Sequence, residues 1–162
     1  RQVTSDQDSE SSVVGGVLQL HVAKILRLLF EAHSELRAAC LALLGVMLRQ
    51  GLVNPLQVFP YVVAMLGDSS AEIRQEALRL ALVEDDKHPE FLRTRILEGV
   101  CLSFQLQKFT CPEIAPLLME TTGPRQFKHS SLFSTIYASC IRSNRQKRNA
   151  VLRGFLSLFQ QS

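Results

Sequence analysis

Residues 51–77, GLVNPLQVFPYVVAMLGDSSAEIRQEA, decide how the rest of the chain is read. The stretch contains the end of one helix, a turn, a complete second helix, another turn and the start of a third. Asn54 is placed to cap the middle helix, and Pro55 suits its first position, where a missing N–H costs nothing. Gly67-Asp68-Ser69-Ser70 then stops that helix and caps the next. From Asp68 onward the order is an aspartate, an apolar–arginine pair (Ile73-Arg74) and a small residue one turn later (Ala77). Two antiparallel helices cannot bury their apolar faces alone, so this stretch implies neighbours stacked on both sides.

A second copy lies upstream. Glu35-Leu36-Arg37 followed by Cys40 echoes Glu72-Ile73-Arg74 followed by Ala77, with 37 residues between Arg37 and Arg74. In both copies the apolar residue is expected to pack inward with the arginine beside it. The pattern resembles HEAT repeats, although its spacing is slightly under their usual period of about 40–47 residues and no third copy follows. The fold expected is all-α, a HEAT-repeat α-solenoid segment of stacked antiparallel helix pairs with an armadillo-like architecture.

Working outward, residues 1–14 form a polar, acidic leader that cannot repay the entropy of ordering, so they read as a flexible linker, with the HEAT segment occupying 15–162. Leu18, Val22, Ile25, Leu26 and Leu29 fall at helical spacing and predict a first helix over about 17–33. Ser34 is placed to cap a second, which ends at Gln50-Gly51. The third, about 55–66, carries Pro60 in its interior, where a kink is expected. The fourth, about 70–86, ends in Glu84-Asp85-Asp86, read as a solvated helix end. The fifth, about 89–109, presents Leu92, Ile96, Val100 and Phe104 toward the core. Thr110–His129 reads as an irregular connection broken by Pro112, Pro116 and Gly123-Pro124. Two further helices are expected over about 130–142 and 144–159.

Composition narrows the function classes. The formal net charge is only +3, yet after Glu120 there are seven Lys or Arg and no Asp or Glu. Such a field suggests an anionic partner, nucleic acid or an acidic protein surface. The four cysteines lack CxxC or matching histidine spacing. Cys40, Cys101 and Cys140 therefore read as reduced core residues of an intracellular protein, and neither zinc nor disulfides are expected. No apolar run is long enough to span a bilayer. An opening Arg-Gln-Val with no initiator methionine points to a piece of a longer protein.

Catalytic signatures are missing: there is no Walker loop, G-x-G-x-x-G, G-x-S-x-G or H-E-x-x-H, and the histidines are scattered. The chain reads as no enzyme, with no cofactor and no metal. The informative constellation is Arg142-Ser143-Asn144-Arg145-Gln146-Lys147-Arg148, with Arg153 beyond it. Ser143 and Gln146 form a candidate capping box for the last helix. Arg145, Lys147 and Arg148 sit in its first turn or so, where each cation opposes the helix dipole at about 0.3–1 kcal/mol. On a helical wheel Arg148 projects near the apolar face of Val151, Phe155 and Phe159. Two readings stay open. One is a solvated basic face with Arg148 paired to a carboxylate of an earlier helix. The other is sequence-independent, salt-sensitive contact with DNA phosphates or an acidic partner through Arg142, Arg145, Lys147, Arg148 and Arg153.

Four runs carry a further resemblance: GGVLQLHVAKIL (15–26), QGLVNPLQVFPYVVAMLGD (50–68), GVCLSFQLQ (99–107) and SLFSTIYASCIRSNRQKRNAVLRGFLSLF (131–159). Together they resemble the Nipped-B-like sister-chromatid cohesion loader family, the adherins. The resemblance implies a nuclear, chromatin-associated HEAT module from the C-terminal half of a cohesin loader. It further implies contacts with cohesin (its SMC heads and kleisin) and with double-stranded DNA, and stimulation of the cohesin ATPase by a loader that is not itself the ATPase. The family's tetratricopeptide partner would bind a region outside this chain. The alternatives are a HEAT scaffold of the adaptor or transport type gripping an acidic protein, and an enzyme whose motifs escape recognition.

Overall fold

The computed structural model describes residues 3–110 and 133–160, and within them the fold is all-α, without strands. Helices α1 (Val3–Leu28) and α2 (Ser34–Arg49) form one hairpin, and α3 (Pro55–Met65) and α4 (Ala71–Lys87) form the next. Helix α5 (Glu90–Thr110) packs along α3, while α2 packs on α4. Two layers result, the stacked-pair arrangement expected of a helical repeat. Beyond them, α6 is a single turn (Ser134–Ile136) that runs into a π-helical turn (Tyr137–Ile141), and α7 (Arg145–Gln160) lies on α5. Apart from Thr110, nearly all of the expected Thr110–His129 connection falls outside the described residues.

Helix α3 is the centre. Val58, Phe59, Pro60 and every residue from Val62 to Leu66 are buried, and a helix apolar on nearly every side must be enclosed on nearly every side. Its caps follow the sequence: Asn54 Oδ1 accepts the Leu56 N–H at 3.0 Å, with Pro55 next to it. Pro60 lies inside a helix that continues unbroken to Met65. The carbonyl that Pro60 cannot serve belongs to Leu56, which is an exposed residue. Upstream, Gly51 adopts φ +67°. The Leu52 N–H reaches the Met47 carbonyl at 2.9 Å and Gly51 N–H that of Leu48 at 3.2 Å, which closes α2 in a Schellman motif.

The interface between α3 and α5 rests on small residues. A Cβ added to Gly99 would lie 2.5 Å from the Val63 Cβ and 2.9 Å from the Pro60 carbonyl oxygen. One added to Gly67 would overlap the Ser103 hydroxyl. The buried edge of α5 is therefore Ile96, Gly99, Ser103 and Leu106. Phe104, expected in the core, is exposed and lies beneath the Lys108 ammonium, 4.7 Å from its ring centre. Close helix approach selected the face with the least side chain, which hydrophobic periodicity cannot detect.

Between the repeats sits a buried ion pair. Arg37, 1% exposed, donates from Nε to Asp68 Oδ2 at 2.7 Å and from Nη2 to Oδ1 at 3.0 Å; Asp68 is fully buried. Arg37 Nη1 also donates to the Glu31 and Ala32 carbonyls, both at 2.8 Å, closing the α1–α2 turn. Asp68 Oδ1 in turn accepts the Ser70 N–H at 2.8 Å, which starts α4. Arg74 repeats the pose one period on, its Nη1 donating to the Asp68 and Ser69 carbonyls at 2.8 Å. The two copies differ in one respect. Ile73 is buried as expected, whereas Leu36 is exposed and Arg37 takes the interior position.

Several expectations are corrected. Helix α1 begins at Val3 rather than near 17. The apolar stripe stops at the double glycine, but no proline in the leader forbids helix. The same helix ends at Leu28, short of 33. The N-cap of α2 is His33, and Ser34 is already helical. Cys101 is exposed, whereas Cys40 and Cys140 are buried, and all three are free thiols.

Replacing Arg37 by Ala, or Asp68 by Asn, leaves one buried charge without its partner and should destabilise the chain by about 3–5 kcal/mol. Chemical denaturation followed by circular dichroism measures this. The double replacement Arg37→Met with Asp68→Leu should recover much of the loss, because no orphaned charge remains.

Candidate functional site

The basic end of the chain is built from the π-turn of α6 and the first turns of α7. The π-turn closes through the Arg142 N–H, 2.8 Å from the Tyr137 carbonyl. Its wider turn lets the neighbours Cys140 and Ile141 both face the core below Ile136. Helix α7 is capped by Asn144, whose Oδ1 accepts the N–H groups of Gln146 and Lys147, each at 3.0 Å. The expected Ser143–Gln146 box is therefore corrected: the cap lies one residue later, and it uses an amide oxygen already adequate for two donors. Gly154 seats α7 against Leu97 of α5, and Val151 is buried.

The five basic residues singled out in the sequence separate into two groups. Arg142, Arg145 and Arg153 are exposed. Lys147 is not: its Nζ donates to both oxygens of Asp85, at 2.6 and 2.7 Å, and the two side chains are only 11% and 12% exposed. Arg148 is half-buried and donates from Nη1 to the Arg142 carbonyl at 2.8 Å. A lysine thus makes the ion pair to an earlier helix that one of the two open readings gave to Arg148. The difference is one residue, or about 100° around the helix. Lys147, Val151 and Gly154 form the inward stripe, and the Asp85 carboxylate meets Lys147 there.

Asp85 belongs to the Glu84-Asp85-Asp86 run, and the expectation of a solvated helix end is corrected for two of its members. Glu84 is buried and bonded to Lys87 at 2.9 Å, and Asp85 is taken by Lys147. Cys140 lies against the same pair. Burial, with the neighbouring Asp85 carboxylate adding to it, pushes its thiol up to about 11. Asp85 could have been suspected only from Lys147's inward position, and nothing in the sequence links residues so far apart.

Among the described residues no group of three or more His, Cys, Asp or Glu is arranged to hold a metal ion, and no helix is long and apolar enough to cross a membrane. The arrangement offers outward guanidinium groups around a helix N-terminus. Such groups bind phosphate or carboxylate bidentately.

The comparisons agree with one another. The family model described as sister chromatid cohesion C-terminus, Nipped-B, matches residues 14–162. A mouse Nipped-B-like protein is 32% identical over 154 residues, covering 94% of this chain and 5% of its own length. Zebrafish Nipped-B-like protein A is 30% identical over 155 residues, 96% of this chain and 6% of its own. The Nipped-B-like protein scc-2 of Caenorhabditis elegans is 26% identical over 167 residues, 94% of this chain and 8% of its own. The chain therefore spans less than a tenth of the length of these relatives.

Cys140 and Cys101 should differ in reactivity. At pH 8 iodoacetamide, followed by peptide mass analysis, should label exposed Cys101 readily and Cys140 only on denaturation. Because Cys140 is raised in the folded state, its protonated form contributes stability that is intact below about pH 9. That contribution should fall as pH rises through 9 toward 11, and Cys140→Ala should flatten this part of the stability profile.

Proposed function

The chain belongs to the Nipped-B sister chromatid cohesion family, as part of its C-terminal region, and from this we propose that it is a non-catalytic segment of a cohesin-loading factor acting on chromatin in the nucleus. Its helix pairs hold a stiff surface. Through that surface the loader would meet the cohesin complex, including its SMC heads and kleisin, and favour ATP hydrolysis by cohesin. The tetratricopeptide partner would bind elsewhere on the longer protein.

DNA is the second partner. Arg142, Arg145 and Arg153 project outward around the N-terminal half of α7, in a stretch with no acid after Glu120. This carries the DNA reading. Guanidinium groups displayed on a helix meet phosphates irrespective of base sequence, and few aromatics accompany them, so duplex backbone fits better than stacked single strands. Of the five candidate residues for DNA or an acidic partner, Lys147 is paired to Asp85 and Arg148 donates to the Arg142 carbonyl, so the proposed contacts rest on the other three.

Three phosphate contacts should give a salt dependence of log K against log [salt] near −2.7, about −0.9 for each. Fluorescence anisotropy with a labelled duplex of mixed sequence measures it. Arg145→Glu with Arg153→Glu should weaken binding at least tenfold and flatten the slope, with helicity unchanged. Equal affinity for the duplex in the double variant would overturn the DNA reading. An accompanying loss of cohesin binding by the full-length loader would point to an acidic protein surface instead.

A further inference from the structure

Helix α7 lies on α5, where Gly154 meets Leu97 and Val151 is buried. The Asp85–Lys147 pair supplies a second anchor, from α4. The anchor also has to choose. Lys147 and Arg148 are adjacent cations, and either could occupy a carboxylate's seat. Exchanging them would turn α7 by about 100° and carry Arg145 and Arg153 with it. Three features favour Lys147. Both Asp85 oxygens receive its ammonium, at 2.6 and 2.7 Å. The Cys140 thiol packs against the same carboxylate. Arg148 is held instead by the Arg142 carbonyl at 2.8 Å.

We infer that Asp85 is a positioning residue for the proposed DNA-binding face: by seating Lys147 rather than Arg148 it sets the roll of α7 that turns Arg145 and Arg153 toward phosphate, beside Arg142. The inference rests on the DNA reading above. Lys147 is then a strut and makes no contact with DNA, although it lies in the middle of the most basic stretch of the chain.

The sign of one substitution separates this role from a simple charge effect. Asp85→Asn removes an acid beside a basic face and frees a lysine. On charge alone it should strengthen binding to a phosphate backbone and steepen the salt dependence by about one contact. If Asp85 positions α7, the same change weakens binding, by about fivefold or more, as misplaced arginines lose charge-assisted contacts. The exchange Asp85→Lys with Lys147→Asp restores the strut with reversed polarity, and affinity should return to within about twofold of the parent. Anisotropy with the mixed-sequence duplex, run on the 162-residue chain at several salt concentrations alongside circular dichroism, provides both readouts.

Weaker binding by Asp85→Asn at unchanged helicity, with recovery in the exchanged pair, supports the inference. Equal or tighter binding by Asp85→Asn overturns it while Arg145→Glu with Arg153→Glu still weakens binding, and the DNA reading then survives alone. An exchanged pair that is helical but binds as weakly as Asp85→Asn also overturns it. If Asp85→Asn loses helicity, Lys147→Met keeps the length of the side chain and is judged by affinity: a loss of about fivefold supports the strut, and parent-like affinity sinks it. Should the double arginine variant bind like the parent, the DNA reading itself falls, and this inference with it.

Discussion

The contact on which the arrangement of repeats depends is the one between Arg37 and Asp68. An interior made of Leu, Val, Ala and Met packs well in several offsets, since apolar contact is non-directional. A bidentate guanidinium–carboxylate bond is directional and tolerates one register only. Arg37 holds the turn of its own hairpin through the Glu31 and Ala32 carbonyls and the next hairpin through Asp68, which also starts α4. A slip between the pairs would leave two charges buried and unmatched, at a cost comparable to a large share of a domain's stability. Register between α2 and α4 is thereby set. The glycine-lined groove of α5 then has one seat against α3.

The same device recurs at the basic end with a different consequence. Between the repeats the ion pair excludes water and fixes translation. Between α4 and α7 it is a little more exposed, and it fixes rotation. Both pairs join residues remote in sequence, and both consume a charge that composition alone would assign to the surface. A count of bases after Glu120 therefore overstates the binding field. Of the bases in the run from Arg142 to Arg148, Arg142 and Arg145 are exposed, with Arg153 joining them from farther along α7.

The architecture was legible wherever local chemistry dictates structure. Asn54-Pro55 and Gly51 did what their backbone preferences require, and the third helix falls where its caps placed it. Failures cluster where tertiary distance decides. Asp68 could be read as a cap but not as the partner of Arg37, because the bond depends on how two hairpins stack. Phe104 was assigned to the core by hydrophobicity, whereas Gly99 and Ser103 permit the closer approach. At the candidate site, the basic stretch was visible and its sorting was not. Choosing Lys147 over Arg148 needs the way α7 packs, at Gly154 against Leu97 of α5 and at Lys147 against Asp85 of α4, and both are tertiary contacts.

The one-residue difference between Lys147 and Arg148 matters for the proposed phosphate-binding surface. Affinity for a phosphate backbone depends on how many cations reach it together, and those on one helix reach it together only at a particular roll. A flexible basic tail needs no such control, since each side chain finds its own contact, but it pays in ordering entropy at each one. A packed helix avoids that entropy and becomes sensitive to its seating instead. Every cation seated inward, as Lys147 is, diminishes the field and improves the alignment of those that remain. The balance favours alignment when the aligned set is small, because losing one contact in three matters more than losing one in ten. With Arg145 and Arg153 outward on a packed helix and Arg142 in the turn before it, this chain lies on the side of alignment.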